Sequence, residues 1–345
     1  MSLNRKKSPG ISSKPFRQIG LNIGRSNLVG CEVLHRGGSI ILERCARTEI
    51  QPNEQLSVQI KQFCEAIGFH SKRVNISLKG QGIVMRFLDF PRMSEKDFRS
   101  SIQYEAEKYL PFNISEVVMD HYILNAGSEQ DKTMRVILVA AKKTEVEKAI
   151  SSVKAAGLEI NAIDIDILCC VNALEFNHSE IKEHVVGVLD LGAQDTTLCV
   201  VNHGLVVFTR DIAFGGSDMV EMLRRALGVT IEEAAQIFQE ETLQNPAHEK
   251  AIHDVLERLF QELRLSLNYY FSQHEQVTKL DTFFLSGGLS QLKSLLVLLE
   301  QRMETTVERW DATEKMELTQ PVSREILKPL LPYLPVCAGL AIRTK

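Results

Sequence analysis

At 345 residues the chain exceeds one small domain, and its 44% hydrophobic and 24% charged residues are ordinary globular values that allow a large core. A net charge of −4 with no basic stripe argues against a nucleic-acid binder. The seven cysteines are odd in number, lack a C-x-x-C pair and often lie inside apolar runs, which argues against a disulfide framework or zinc site and for a reducing, cytosolic setting.

In chain order, residues 1–17 read as a disordered basic tail. Arg5, Lys6, Lys7, Lys14 and Arg17 lie among Ser, Gly and Pro with no apolar segment behind them, so no secretory signal is expected. No later stretch reaches the roughly 18 uninterrupted apolar residues of a membrane-spanning helix. Apolar runs Ile19–Ile23, Leu28–Leu34 and Ser39–Leu42, separated by Gly24-Arg25-Ser26-Asn27 and His35-Arg36-Gly37-Gly38, predict a three-stranded meander. A helix over 55–67 stopped by Gly68 and a strand at 74–78 follow.

Between 81 and 158 the rhythm changes. Strand-like runs at 83–88 and 134–140 flank a helix with Ser94 as N-cap, Asp97 at the capping-box position, and Phe98, Ile102, Ala106 and Tyr109 on one face. Pro111 stops it, and a second helix over 144–156 ends at Gly157, so the segment reads as a small α+β insert.

The meander then returns, with strands at 185–191, 196–201 and 205–209 and turns Gly192-Ala193-Gln194-Asp195 and Asn202-His203-Gly204. The turn glycines stand 13 positions apart in the first copy (Gly24, Gly37) and 12 in the second (Gly192, Gly204), which with the shared order of elements marks a duplication. Helices over 217–227, 231–240 and 249–272, a strand at 282–285 ending in Ser286-Gly287-Gly288, a helix over 290–302 and a small-residue helix near 335–343 complete the chain.

A strand that ends in Gly and turns sharply exposes consecutive backbone N–H groups, which can hold phosphate oxygens without any side chain. The turns at Gly24-Arg25-Ser26 and Gly192-Ala193-Gln194 could do so from opposite sides of a cleft, and Gly287-Gly288 would let a base, ribose or phosphate approach the backbone. No histidine or cysteine pair has metal-ligand spacing, and no G-x-S-x-G nucleophile motif occurs.

Asn22-Ile23-Gly24, Asp190-Leu191-Gly192-Ala193-Gln194-Asp195-Thr196-Thr197 and Phe284-Leu285-Ser286-Gly287-Gly288 resemble, in that order, the two phosphate motifs and the adenosine motif of the actin-like ATPase superfamily. The insert resembles that of the division protein FtsA. The run from Ile102 to Phe112, with Asp190 to Asp211 and Ile212-Ala213-Phe214-Gly215-Gly216, resembles the PilM family of type IV pilus assembly proteins. The likeness covers about residues 18–345. It implies an α/β, actin-like ATPase fold: duplicated RNase H-like cores facing across a nucleotide cleft, with an inserted small α+β subdomain. Residues 18–80 and 159–183, with the C-terminal helix 330–345, would form the first lobe, 81–158 the FtsA-like subdomain, and 184–329 the second lobe, with a helical subdomain at about 222–278.

The resemblance further implies a cytoplasmic scaffold, peripheral to the inner membrane through its partners, in a pilus or type II secretion assembly platform. The cytoplasmic part of GspL is an architectural relative. The implied partner is the cytoplasmic tail of a PilN-like or GspL-associated inner-membrane protein, bound beside the insert, with an assembly ATPase as a further candidate. Arg86, Phe87 and Tyr104 are candidates for the partner surface. Nucleotide contacts are implied for Asn22, Gly24, Arg25, Ser26, Gly192, Ala193, Gln194, Asp195, Gly215, Gly216, Gly287 and Gly288, with Asp190 and Asp166 as candidate ligands of Mg2+ or its waters.

Two departures weaken the ATP chemistry. Asn22 stands where working sites carry Asp, offering a dipole instead of a charge to a hard cation. In the helix from 231, the family's ribose- and adenine-holding Glu and Lys fall at Ala235 and Phe238, with Glu233 near. ATP and Mg2+ are therefore expected to bind weakly or not at all, without efficient hydrolysis. The alternative is an active FtsA-like polymerising ATPase.

Overall fold

The structure, a computed structural model, describes residues 14–124, 132–239 and 245–344. Arg5, Lys6 and Lys7 of the expected tail lie outside the described residues. Arg17 does not belong to a loose tail: it lies in the first strand, where its guanidinium donates to both Glu43 carboxylate oxygens at 2.6 and 3.0 Å.

Aliphatic and β-branched runs build β1 (Phe16–Ile23), β2 (Asn27–Arg36) and β3 (Ser39–Glu49), an antiparallel meander. Helix α1 (Leu56–Ile67) ends on Gly68 at φ 70° and returns the chain to β4 (Arg73–Leu78), parallel to β1. Next come β5 (Ile83–Pro91), α2 (Glu95–Glu105), β6 (Val117–Ile123), β7 (Thr133–Lys142), α3 (Lys143–Ala155), β8 (Glu159–Ile165) and α4 (Asp166–Asn177). A second meander, β9 (Val185–Leu191), β10 (Thr196–Asn202) and β11 (Leu205–Ile212), leads into α5 (Gly216–Leu227), α6 (Ile231–Gln239) and α7 (Pro246–Gln273). These cross over to β12 (Thr282–Ser286), parallel to β9. The chain closes with α8 (Lys293–Met303), β13 (Thr306–Arg309), β14 (Glu317–Leu318), α9 (Arg324–Leu327) and α10 (Leu334–Ile342).

The two large sheets run β14-β3-β2-β1-β4-β8 and β11-β10-β9-β12-β13. Without β14 they share one layout, an antiparallel meander continued by two parallel strands, so the repeated glycine turns mark two copies of the same sheet. The insert is a separate sheet, β5-β7-β6, with β7 central. Helix α2 and its C-cap cover its outer face through buried Phe98 and Ile102 and the cap residue Ala106, at the helical period. The Ser94 hydroxyl accepts from Asp97 N–H at 3.1 Å and donates to the Asp97 carboxylate at 2.6 Å. The helix ends earlier than expected: a 3-10 turn at Ala106–Lys108 leads out of it, so Tyr109 lies past the helix and not on its apolar face.

Strands β6, β8, β13 and β14 and helix α4 were not among the sequence expectations. Helix α4 is buried along nearly its whole length, and Leu168, Cys169, Val171 and Leu174 share one core with Val29 and Val33 of the first sheet and Val186 and Cys199 of the second. Helix α10 lies against β1, β2 and α4. A Cβ on Gly339 would stand 1.9 Å from the Cys169 carbonyl oxygen, and one on Gly20 would stand 2.0 Å from that of Cys337, so backbone meets backbone at both places. All seven cysteines are free thiols. Among the described residues, no helix is long and apolar enough to cross a membrane.

Gly339→Ala must push α10 off α4 and is expected to destabilise the fold by about 3 kcal/mol. The check is the midpoint of urea unfolding, and an unchanged midpoint would mean the two helices are not in backbone contact.

Candidate functional site

The β1–β2 and β9–β10 turns face each other across a cavity of about 570 Å³. Asn22, Gly24, Arg25, Ser26 and Asp166 line it from the first half of the chain. Asp190, Gly192, Ala193, Gln194, Asp195, Gly216, Gly287 and Gly288 line it from the second. Gly215 stands behind the wall, where a Cβ would fall 2.6 Å from Ala193. Gly287, at φ 85°, runs so close to β9 that a Cβ would lie 2.2 Å from the Leu191 carbonyl oxygen; only glycine tolerates both conditions.

Many of the glycine N–H groups are already engaged. Those of Gly24 and Gly192 donate across their own turns to Asn27 O (2.9 Å) and Asp195 O (3.0 Å), and that of Gly287 donates to Pro332 O (2.6 Å). Gly215 N–H donates to the Asp218 carboxylate at 3.0 Å, and Gly216 N–H to Gly192 O at 3.0 Å. Among the described residues, the N–H groups of Arg25, Ser26, Ala193 and Gln194 at the turn tips make no such bond. These four are the ones placed to cradle a phosphate.

The charge in the cavity centres on a residue that sequence reading missed. Lys79, directly after β4, places its Nζ 2.7 Å from Asp190 Oδ2 and 2.8 Å from Asp195 Oδ1, with its side chain 21% exposed. Burial works against the Lys79 ammonium, but Asp190, Asp195 and Asp166 outweigh it and hold the pKa above the ordinary lysine value. The second Asp190 oxygen accepts from Ser286 Oγ at 3.2 Å. The signal available in the sequence was a lone cation at the carboxyl end of a predicted strand, next to Gly80, where open α/β sheets place their binding groups.

Asp166 opens α4 and faces Lys79, Asp190, Asp195 and Ser77. Burial first, then the Asp190 charge, push its carboxyl up to about 6, against the pull of Lys79 and the neighbouring Ser77 hydroxyl. Asn22 Oδ1 is buried with no partner. The donor set suits Mg2+ poorly: one neutral amide, one buried carboxyl and two carboxylates already paired with an ammonium. The acids of the cavity do not converge as a group of three. Among the described residues only Glu32, Glu43 and His70 do so, and there Glu32 already accepts from His70 and Ser71 N–H while Arg17 holds Glu43.

The side chains that α6 turns to the cavity are apolar. Ile231, Ala235 and Phe238 line the cavity from one face of α6, one or two turns apart. Glu233 does not enter: its carboxylate accepts from Thr230 N–H at 2.8 Å and its own N–H donates to Thr230 Oγ1 at 3.2 Å, capping the helix.

A second depression, about 540 Å³, lies between the insert and the first sheet. It is bordered by two sheet edges, β6 with Val118 and Met119, and β8 with Ile160 and Ile163; its lining also includes Val139 and Ala141 of β7, Val146 of α3, Asp164 and Arg343. Asp164 is buried and bonded to the Arg343 guanidinium; burial raises its pKa against the pull of that cation. The three candidate partner residues do not form one surface. Arg86 and Phe87 are successive residues of β5 and point to opposite faces. Phe87 packs on the main core, Arg86 donates to Tyr109 O at 3.2 Å, and Tyr104 projects from α2 with 80% exposure.

A family model described as type IV pilus assembly protein PilM matches residues 26–345. Among solved structures, a chain of the PilM-PilN type IV pilus biogenesis complex is similar, with a TM-score of 0.84 and 26% identity, covering 94% of this chain and 98% of that one. The ethanolamine utilization protein EutJ from Carboxydothermus hydrogenoformans is similar in fold, with a TM-score of 0.51 and 14% identity over 95% of this chain and 90% of that one.

Two outcomes follow from the charges. Lys79→Met leaves two partly buried carboxylates without their cation and is expected to destabilise by about 3 kcal/mol in urea unfolding at neutral pH. Because folding raises the Asp166 pKa, its protonated form favours the fold, and that contribution is lost as pH rises from about 4 through about 6. Asp166→Asn should therefore gain stability relative to the parent by roughly 2 kcal/mol across that window. A pH-independent difference in unfolding free energy would contradict the burial of that carboxyl.

Proposed function

Since the chain belongs to the type IV pilus assembly protein PilM family and has the actin-like ATPase fold, with duplicated cores and an α+β insert, we propose that it is a cytoplasmic scaffold of a pilus assembly platform, held at the inner membrane by docking the tail of a PilN-like protein. The observation that carries this reading is the groove between β6 and β8. An extended tail there would meet a strand edge on each side and apolar side chains such as Val118 and Ile163. That is the arrangement by which a peptide adds to a sheet, with main-chain bonds giving affinity and alternate side chains giving specificity. The structure of a PilM-PilN complex supports pairing this fold with such a partner. A pilus is preferred to a secretion platform because both the family and that similar complex belong to pilus assembly. To the assembly ATPase expected as a further partner we assign no surface.

The facing turns support a nucleotide pocket of low turnover. The turn-tip amides of Arg25, Ser26, Ala193 and Gln194 would hold phosphates, and Ala235 and Phe238 would contact the base through apolar surface alone. Phosphoryl transfer requires an oriented base and strong stabilisation of the developing charge. Here Asp190 is bound by Lys79 and Ser286, and Asp166 is buried.

Val118 is 50% exposed, so Val118→Glu can perturb the groove without disturbing the core. It should weaken binding of a labelled PilN-type tail peptide by about tenfold or more in fluorescence anisotropy, with Tyr104→Ala close to the parent. The opposite pattern would move the interface to α2. Titration with a labelled ATP analogue should give an affinity weaker than about 1 μM and no steady phosphate release. Tight binding with turnover would favour the polymerising ATPase.

A further inference from the structure

Lys79 comes from the first half of the chain, Asp190 from β9 and Asp195 from the turn that follows it in the second, and one ammonium bonds to both carboxylates at 2.7 and 2.8 Å. An ammonium carries three N–H donors. Two are directed at Asp190 and Asp195, leaving a third for an oxygen in the cavity. A Mg2+ ion, which dehydrates reluctantly and favours carboxylates, would have to displace this cation or lie against it. Asn22, near the end of β1, has a buried and unpartnered Oδ1 but no charge to offset a second cation.

We infer that the Lys79 ammonium is the resident cation of the cleft, standing where a divalent ion would otherwise link phosphate to Asp190 and Asp195, so that a nucleoside polyphosphate enters without metal. The metal half of this statement concerns the protein alone; the nucleotide half rests on the reading of the cleft as a nucleotide pocket. Lys79 ties the two halves together whether or not a ligand is present, and it presents a positive charge to an incoming phosphate.

The test uses the full chain stripped with EDTA and titrated with Mn2+ alone, the free ion being followed by electron paramagnetic resonance. The parent should leave Mn2+ free at this site, whereas Lys79→Met should bind one ion at least about tenfold more tightly, because two adjacent carboxylates are then unbalanced. That gain should vanish in Lys79→Met combined with Asp190→Asn. A parent that binds Mn2+ in a manner lost on Asp190→Asn overturns the inference, as does a folded Lys79→Met that gains no ion. Lys79→Gln, which keeps a donor, serves as the second variant if Lys79→Met does not fold, and the parent titration decides on its own if neither folds. In a separate arm, a labelled ATP analogue should bind the parent equally, within about twofold, in Mg2+ and in EDTA. A tenfold preference for Mg2+ also overturns the inference. Failure of the analogue to bind in either condition rejects the nucleotide reading and the nucleotide half of the inference, while the Mn2+ result decides the role of Lys79.

Discussion

The backbone contact of α10 with α4 and β1 is the constraint on which the rest of the molecule depends. Gly339 and Gly20 remove the side chains that would keep these elements a full helix diameter apart. With α10 seated, α4 is sealed between the two large sheets, and its first residue, Asp166, is fixed in the cavity. The far end of α10 delivers Arg343 to Asp164 in the groove. One packing event thus positions a charge at each depression. Because interiors are packed at crystal-like density, neither can drift without moving the sheets.

The symmetric scaffold builds an asymmetric site. Both sheets place a parallel strand beside the first strand of the meander, β4 beside β1 and β12 beside β9. The first of these strands is followed by Lys79 and the second ends in Ser286. Both side chains converge on Asp190, one on each carboxylate oxygen. The residue at the matching place in the first meander is Asn22, which has no charge to attract such partners. Duplication supplied two matching strand ends, and the difference between Asn22 and Asp190 gave only one of them a negative charge.

The parts of this architecture that depend on local chain geometry were legible in the sequence. Glycine turns between alternating apolar runs located both meanders, and the 3.6-residue period of Phe98, Ile102 and Ala106 located the helix of the insert. Helix α4 was not legible: Ile167 to Val171 is a continuous apolar run that suits a strand as well as a fully buried helix, and Ile165 at its N-cap gives no start signal. Strand β6 reads Val-Val-Met-Asp-His-Tyr-Ile, with no clean alternation to mark a half-buried strand. Lys79 and Asp190 are separated by 111 positions, and the groove walls by the insertion of β7 and α3, so neither pairing leaves a trace in local pattern. The candidate partner residues illustrate the same limit. Neighbouring numbers on β5 looked like one surface until strand geometry sent them to opposite faces.

The junction of β8 and α4 joins the two depressions through Asp164-Ile165-Asp166. The first acid lines the groove and the last lines the cavity, with only Ile165 between them. Two residues of chain span at most about 7 Å, less than the width of a helix with its side chains. The molecule therefore has a thin partition where its two concavities meet, one short piece of backbone serving as a border of both.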